Sequence, residues 1–228
     1  MKPAALTLSV FDIFQGLSSA QRAEVAAQMT ARQYSVGQCV ISAGTTLRTV
    51  HFLVSGRVRA CAYNHSGRQV YFEDLVPGMM FGELAALDHG DRSSDCIAME
   101  NSLVLSLEQQ QFLQVLDDLP EVKDRVLLRL VGMVRRQLQR VFEYTTYSVN
   151  QRIRFELLRL ASEAGEVHSP VVLRSVPTQA ELAERISSHR EAVSRELKLL
   201  EAEGLITWNR HSHIIHDQKA LLKRAGSS

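Results

Sequence analysis

Cysteine is scarce: Cys39, Cys61 and Cys96 are the only three in 228 residues. They are odd in number and far apart, which excludes a disulfide framework and a CxxC metal pair and suits a reducing cytosol. Long apolar runs are missing too. No stretch of about 18 apolar residues could span a bilayer, and no apolar segment follows Met1-Lys2-Pro3 as in a secretory signal. These absences lead to the expectation of a soluble, cytoplasmic protein without membrane contacts. Charge of one sign is also lacking. The formal net charge is +1, with 14 basic against 15 acidic residues up to Asn150 and 12 against 10 beyond it, so no global field announces a polyanionic partner. No GxSxG, P-loop or HExxH pattern occurs, and no catalytic residue is expected.

The chain is long enough for one large domain or two small ones, and its pattern changes character three times. From Phe11 to Thr30 it is helical, with Leu17 to Arg22 as a cap and first turn and Val25 and Met29 one turn apart. From Gln33 to about Leu107, short β-rich runs alternate with glycines. The runs include Val50 to Val54, Val58 to Tyr63, Val70 to Phe72 and Leu103 to Leu105; the turns carry Gly37, Gly44, Gly56, Gly67 and Gly78. Turn signals at roughly ten-residue spacing predict a small barrel or roll. From Pro120 to about Tyr147 a long helix follows. Its Leu127, Val131, Val134, Leu138 and Val141 alternate spacings of four and three, a seam of about two heptads. A second apolar line runs through Val126, Leu130, Met133 and Val134. Such a helix can lie on the barrel as a core element, or serve both the barrel and a partner chain. A hinge is expected around Ser148-Val149-Asn150.

The last third predicts a helix over Arg152 to Ala161 and then two short capped helices. Thr178 with Glu181 forms one capping box, and Ser188 with Glu191 reads as a second. Leu182, Ala183 and Ile186 line the first helix; Ala192, Val193, Leu197 and Leu200 line the buried side of the second. This spacing is that of a helix-turn-helix, with Gly204 to Trp208 and Ile214-Ile215 flanking a wing. Ser187 stands where many such turns place glycine to relieve a left-handed backbone. The outer side of the second helix carries Arg190, Glu191, Ser194 and Arg195 as one stripe. Guanidinium forks suit guanine O6 and N7, and a carboxylate suits the cytosine amino group. The competing reading makes Glu191 a cap and an i,i+4 ion-pair partner of Arg195. His211, His213 and His216 gather in the wing without a carboxylate or cysteine at ligand spacing, so phosphate neighbours are favoured over a metal.

The stretch Phe81 to Asp95, FGELAALDHGDRSSD, holds Glu83 behind a glycine and Arg92 nine residues on, followed by Ser93 and Ser94. A cyclic phosphodiester carries one negative charge and a ribose with one free hydroxyl. An arginine, a serine hydroxyl and turn amides can hold the phosphate, and a carboxylate can accept from the ribose. Pairing of Glu83 with Arg92 across a hairpin is the structural alternative.

Phe81 to Leu87 followed by Asp91 to Ser94 resembles the phosphate-binding cassette of cyclic-nucleotide-binding domains. With the Arg-Glu-x-x-Ser-Arg stripe, the chain from about Phe11 to His216 resembles the Crp/Fnr family of bacterial transcription regulators. The resemblance implies an α+β protein: a jelly-roll-like β-roll over residues 1–118, a central dimerisation helix over 119–148 and a winged helix-turn-helix over 149–228. It implies cyclic AMP or cyclic GMP as allosteric effector, with no metal or prosthetic group, and double-stranded DNA, a second copy of the chain and RNA polymerase as partners. Gly82, Glu83, Leu84, Ala85, Arg92, Ser93, Ser94 and Arg136 would form the ligand site, Glu83 on the ribose and Arg92 on the phosphate. Thr178, Gln179, Ser188, His189, Arg190, Glu191, Ser194 and Arg195 would form the DNA surface, reading a TGTGA-like half-site. Family members that bind cyclic AMP place adjacent hydroxyls on the central helix against adenine; here Arg140 and Val141 stand there, which leaves the base preference open. An effector of another kind, or none, is the alternative. No N-terminal cysteine cluster exists for an iron-sulfur sensor. His51, His65 and His89 are isolated and read as turn or surface residues rather than haem ligands.

Overall fold

Ser18 starts the first regular helix by capping it. Its Oγ accepts from the Gln21 N–H, and its own N–H donates to Gln21 Oε1, so two orphan donors of α1 (Ser19–Gln28) are satisfied. The helical pattern does not reach back continuously to Phe11: Asp12–Phe14 is a separate 3-10 turn, divided from α1 at Gly16. The structure is a computed structural model that describes residues 5–65, 67, 69–164, 170–173, 176–209 and 212–226. The chain divides into two compact units, Met1–Met133 and Val134–Ser228.

In the first unit the elements that follow α1 are β1 (Thr30–Tyr34), β2 (Cys39–Ile41), β3 (Val50–Ser55), β4 (Val58–Tyr63), β5 (Gln69–Leu75), β6 (Met80–Phe81), α2 (Glu83–Asp88), β7 (Asp95–Ala98), β8 (Ser102–Leu107) and α3 (Gln109–Asp118). The described strands form two antiparallel four-stranded sheets, ordered β1-β8-β3-β6 and β2-β7-β4-β5. Leu53, Val58, Phe81, Cys96 and Val104 fill the space between the sheets. Phe52, Leu105 and Leu107 point the other way, onto Phe11, Phe14, Phe112, Val122 and Val126 of the helical layer. Successive side chains of a strand face opposite sides, so β3 is buried on both faces, which is why Val50 to Val54 reads as an unbroken apolar run rather than an alternation.

The long helix is α4 (Pro120–Thr146), 27 residues in length. Val126 is buried against the first unit's core and Leu130 packs on it, whereas Leu127, Val131, Val134, Leu138 and Val141 are all exposed. The two apolar lines therefore serve different surfaces. Only Tyr147 and Ser148 separate α4 from α5 (Val149–Glu163). The expected hinge residues Val149 and Asn150 lie inside the first turn of α5, capped by Ser148 through a box with Gln151. Tyr147 stacks on Phe155 at 4.8 Å and meets Phe142 edge-on at 5.5 Å.

The second unit continues with β9 (Val171–Val172), α6 (Gln179–Arg185), α7 (Arg190–Ala202), β10 (Ile206–Trp208), β11 (His213–Ile215) and α8 (Gln218–Gly226). The wing pairs β10 with β11, and β9 adds a third antiparallel strand. Ile153, Leu157, Leu182, Ile186, Val193, Leu197, Leu200 and Leu221 form one core. The architecture is an α+β one: antiparallel roll, long helix, winged helix-turn-helix.

Two local readings are corrected. The Ser188–Glu191 capping box does not form: α7 starts one residue later with His189 as N-cap and no side-chain cap bond. The Ser188 N–H is used instead on Ala183 O at 2.8 Å to close the turn after α6. His51 is not a surface or turn residue but sits buried in β3. Ring burial is possible there because Nδ1 meets Ser106 Oγ of β8 at 2.9 Å and the ring lies over Phe81. His65 and His89 are exposed, as read. Helices α2, α3 and α8 and strand β9 were not anticipated. No helix among the described residues is long and apolar enough to cross a membrane.

Candidate functional site

The cassette begins where β6 hands over to α2. Gly82 has φ +78, and a Cβ there would lie 2.6 Å from Arg92 Nη1 and 2.8 Å from Ile41 Cδ1. Conformation and space both demand glycine. Glu83, Leu84 and Ala85 then form the first turn of α2, whose N–H groups no helical carbonyl can satisfy. α2 is short and ends at His89, in the left-handed region at φ 61. The chain returns through Arg92, whose backbone bonds the Gly44–Thr45 turn on both sides.

Glu83 and Arg92 do not pair with each other. Arg92 is 5% exposed; its Nη1 donates to Gly82 O at 2.5 Å, its Nη2 to Thr49 O at 2.6 Å, and its Nε has no partner. No carboxylate neutralises it among the described residues. Burial lowers its pKa, opposed by the charges of Cys96 and Glu83. Glu83 is 4% exposed, and burial raises its carboxyl above the usual range; its own backbone N–H, then Arg129, then Arg92 oppose the rise, while Glu73 adds to it. Desolvation wins because taking an ion out of water is expensive unless a partner touches it. A buried cation beside a buried acid, each without a direct ionic contact, is a site that an anion bearing a hydroxyl can complete.

Ser93 is exposed and has no partner among the described residues, while Ser94 is turned to the Cys96 thiol. Leu84 is exposed and Ala85 buried. Arg136 is exposed on α4 within the second unit. The sequence reading missed three neighbours. Arg48 Nη2 donates to His89 O at 2.6 Å, and Arg129 Nη2 donates to Met80 O at 2.6 Å; the Nε of each is buried without a partner. His51, the third, is held neutral: burial first, and the Arg92 charge second, lower its pKa to about 3. Nothing local in the sequence marks these side chains, because each reaches carbonyls or charges tens of residues away.

In the second unit the Thr178 box forms as read: the Glu181 N–H donates to Thr178 Oγ1 at 3.2 Å and the Thr178 N–H to Glu181 Oε2 at 2.9 Å. Ser187, at φ 52, takes the left-handed position of the turn. Gln179 and Ser188 are half-buried and His189 exposed. On α7, Arg190, Glu191 and Arg195 are exposed and Ser194 half-buried, and none of them has a partner among the described residues. The Glu191–Arg195 ion pair is therefore absent and the stripe is free to meet another molecule. The opposite face is anchored by Glu196, buried and bonded to Arg154 at 2.6 Å.

Helix α6 is held from behind. Arg185 O accepts from Arg140 Nη1 at 3.1 Å and from the Tyr144 hydroxyl at 2.8 Å, and Ile186 O accepts from Arg152 Nη1 at 2.8 Å. Cationic donors on the last carbonyls also suit the helix dipole. Beneath them Arg159 bridges Glu143 and Glu156, and Arg185 bonds Glu156 at 3.2 Å. Burial pushes the Glu156 carboxyl up, but the guanidinium charges of Arg159, Arg185 and Arg140 together bring it below its ordinary value. Arg140 thus ties the end of α4 to the helix-turn-helix. In the wing, His213 packs edge-on to Trp208, and His216 Nε2 lies 2.8 Å from Thr207 Oγ1. His211 lies outside the described residues. Among the described residues no group of three His, Cys, Asp or Glu side chains is placed to hold a metal.

Residues 31–118 match the cyclic nucleotide-binding domain family, and residues 151–224 match the Crp-like helix-turn-helix domain. The CRP-like cAMP-activated global transcriptional regulator of Mycobacterium tuberculosis is 26% identical over 214 residues, which span 93% of this chain and 96% of its own. The cyclic AMP receptor protein of Thermus thermophilus is 26% identical over 195 residues, 85% of this chain and 87% of its own. The chain belongs to the Crp/Fnr family of transcription regulators. Among solved structures, a CooA mutant from Carboxydothermus hydrogenoformans superposes on this Crp/Fnr regulator with a TM-score of 0.80 at 16% identity, covering 99% of this chain and 97% of that one. The c-di-GMP responsive global regulator CLP of Xanthomonas campestris does so with a TM-score of 0.72 at 20% identity, covering 88% and 100%. At such identities these two establish the shared fold. As a Crp/Fnr regulator the protein binds DNA, carries a cyclic nucleotide-binding domain, and is not an enzyme.

Proposed function

We propose that this Crp/Fnr regulator is a homodimer that answers to cyclic AMP or cyclic GMP and, with nucleotide bound, binds a palindromic TGTGA-like site. The observation that carries the ligand reading is Arg92, a buried guanidinium whose only hydrogen-bond partners among the described residues are the carbonyls of Gly82 and Thr49. One phosphate supplies the counter-ion it lacks. Glu83 then accepts from the ribose hydroxyl, and Ser93 with the amides of Leu84 and Ala85 completes the phosphate shell, Ser94 and Arg136 standing as further contacts. Arg190, Glu191 and Arg195 read bases, with Ser188, His189 and Ser194 beside them and Thr178 and Gln179 near the backbone. The dimer reading rests on the exposed line Leu127, Val131, Val134, Leu138 and Val141, an apolar stripe at heptad spacing. In the dimer, nucleotide shifts the population toward the geometry that sets both recognition helices about 34 Å apart. In this reading residues 1–118 serve the ligand, 119–148 the dimer and 149–228 DNA, with RNA polymerase as a further partner and the cytoplasm as location.

Both nucleotides are expected to bind. The sugar-phosphate half is common to them, Arg140 is engaged on α6 rather than presenting a hydroxyl, and Val141 is apolar. Strong rejection of a wrong base requires stranding a polar group. A second reading takes an effector with more than one phosphate, favoured by Arg48 and Arg129, whose guanidiniums add to Arg92 around the cassette. Calorimetric titration with cyclic AMP, cyclic GMP and cyclic di-GMP, each followed by a DNA-binding assay, tests both. A gap beyond about a thousandfold between the two mononucleotides, roughly 4 kcal/mol, overturns dual recognition. Binding of the dinucleotide alone favours the second reading.

A further inference from the structure

The turn that launches the recognition helix is held by groups outside it. Helix α6 ends at Arg185, and the carbonyls of its last turn find no donor within the helix. Arg185 O and Ile186 O stand immediately before Ser187, whose left-handed backbone redirects the chain toward α7. Arg140 Nη1 reaches Arg185 O at 3.1 Å, the Tyr144 hydroxyl reaches it at 2.8 Å, and Arg140 Nη1 also donates to that hydroxyl at 3.2 Å. The three groups close a triangle, each bonded to the other two. Arg140 and Tyr144 are one turn apart on α4 and so share a face. Arg152 of α5 lies over the Tyr144 ring, 5.4 Å from its centroid, while bonding Ile186 O at 2.8 Å. A second layer follows the same route. Buried Glu143 of α4 accepts from Arg159 Nη1 on both oxygens, at 2.9 and 3.0 Å, and Arg159 meets Glu156, which Arg185 also meets at 3.2 Å. Helix α4 therefore reaches α6 twice, by paths that bypass the two-residue link Tyr147–Ser148. Turning α4 at that link breaks both. The same stretch of α4 carries exposed Leu138 and Val141 of the apolar line, on either side of Arg140, and all these residues belong to the compact unit Val134–Ser228.

We propose that Arg140 and Tyr144 are positioning residues for DNA recognition: by gripping the Arg185 carbonyl they fix the recognition helix α7 to the seam-bearing end of α4, and so set the separation of the two recognition helices. This rests on the homodimer reading and names what holds each recognition helix to the seam. The physical case is one of stiffness. A carbonyl has two lone pairs, and here a charged donor and a hydroxyl take both. Rotating α6 away from α4 strands that carbonyl and breaks the Arg140–Tyr144 triangle at one stroke. A dimer built this way meets a palindrome with its half-sites at one spacing and pays in broken bonds to meet another. Without the grip, each recognition helix keeps its base-reading stripe but is free to swing about the link at Tyr147–Ser148.

The test measures the full-length protein on three DNA probes, with and without cyclic AMP. They are the palindrome that wild type selects from random-sequence DNA, the same palindrome with its half-sites moved apart by one base pair, and a single half-site. Wild type should favour the selected spacing. The ratio of its affinities for the two palindromes should fall about fivefold in Tyr144→Phe, which removes one hydroxyl, and about tenfold or more in Arg140→Met, the fold-changes of a neutral and a charge-assisted hydrogen bond. Affinity for the single half-site should stay within about twofold of wild type, because the base-reading stripe is untouched by the loss of these bonds. An unchanged ratio in both variants overturns the inference. Equal losses on the half-site and on both palindromes also overturn it, since they would reduce the two residues to a structural tie of the turn. If wild type selects no palindrome or shows no spacing preference, the homodimer reading falls and the inference falls with it. Tyr144→Phe keeps the ring under Arg152, so it decides the matter alone if Arg140→Met does not fold.

Discussion

Acidification from pH 7 to pH 5 should remove about 2 kcal/mol from the stability of the N-terminal unit through His51 alone. The ring is 7% exposed and its pKa is lowered from 6.5 to about 3, by burial first and by Arg92 second. The sign follows from proton counting. Between pH 6.5 and 3 the unfolded chain holds a proton on this ring that the native state refuses, so stability is fully present above 6.5 and is lost as pH falls. Each pH unit in that window is worth about 1.4 kcal/mol, and 1.5 units separate 6.5 from pH 5. His51→Asn keeps a polar atom near Ser106 Oγ and cannot titrate. It costs stability at every pH by leaving a small cavity, so the quantity to compare is the pH slope, not the absolute value. Hydrogen exchange of the β3 and β8 amides at pH 7 and pH 5 reports the N-terminal unit. Fluorescence of Trp208, the single tryptophan, reports the C-terminal unit and serves as a control. The loss of stability from pH 7 to pH 5 should be about 2 kcal/mol larger in wild type than in His51→Asn, with no difference in the loss seen by Trp208. Equal amide slopes in the two proteins would refute the reasoning.

Arg92→Ala and Glu83→Ala should each weaken cyclic nucleotide binding about 10- to 100-fold, since hydrogen bonds to charged groups contribute roughly 1.5–3 kcal/mol; wild-type affinity in both variants by calorimetry contradicts the site. Glu83 carries a raised pKa, so its burial destabilises the ligand-free protein increasingly as pH rises up to that value. Glu83→Gln should therefore remove the fall in stability between pH 4.5, the ordinary value, and that raised pKa, and an unchanged curve counts against buried ionisation. Arg195→Ala should cost about 1–3 kcal/mol on a cognate palindrome and relax one base preference per half-site, whereas Gln179→Ala should weaken all sequences alike. Equal losses for Arg195→Ala on cognate and random DNA would argue against base reading. Ser187→Gly should stabilise the C-terminal unit by about 0.5–1 kcal/mol, by relieving a left-handed serine against the entropy glycine adds to the unfolded chain; a drop in urea midpoint would show that the serine side chain compensates its backbone.

Local signals were legible in the sequence to the extent that their physics is local. The Ser18–Gln21 and Thr178–Glu181 boxes close within one turn, so composition at three-residue spacing suffices to see them. The Ser188–Glu191 pattern looks the same on paper and fails, because the Ser188 N–H is claimed by Ala183 O in closing the turn between the helices. Short helices such as α2 and α8 escape a periodicity reading, since one or two turns hold too few apolar positions to declare a face.

The sequence by itself determined which groups are available: a glycine-shielded acid and an arginine nine residues on, a stripe of Arg190, Glu191, Ser194 and Arg195, and an apolar line along α4. It also determined the order of roll, long helix and winged helix-turn-helix, because strand and helix periods are properties of neighbouring residues. Only the tertiary structure decided how those groups are spent. Glu83 and Arg92 stay apart, Arg92 resting on Gly82 O and Thr49 O; Arg129 reaches back from α4 to Met80 O; and Arg140 is committed to Arg185 O. His51 is buried and neutral where an isolated histidine reads as surface. Charge pairing and desolvation depend on the few ångströms around each group, and those ångströms are filled by residues far away in the chain.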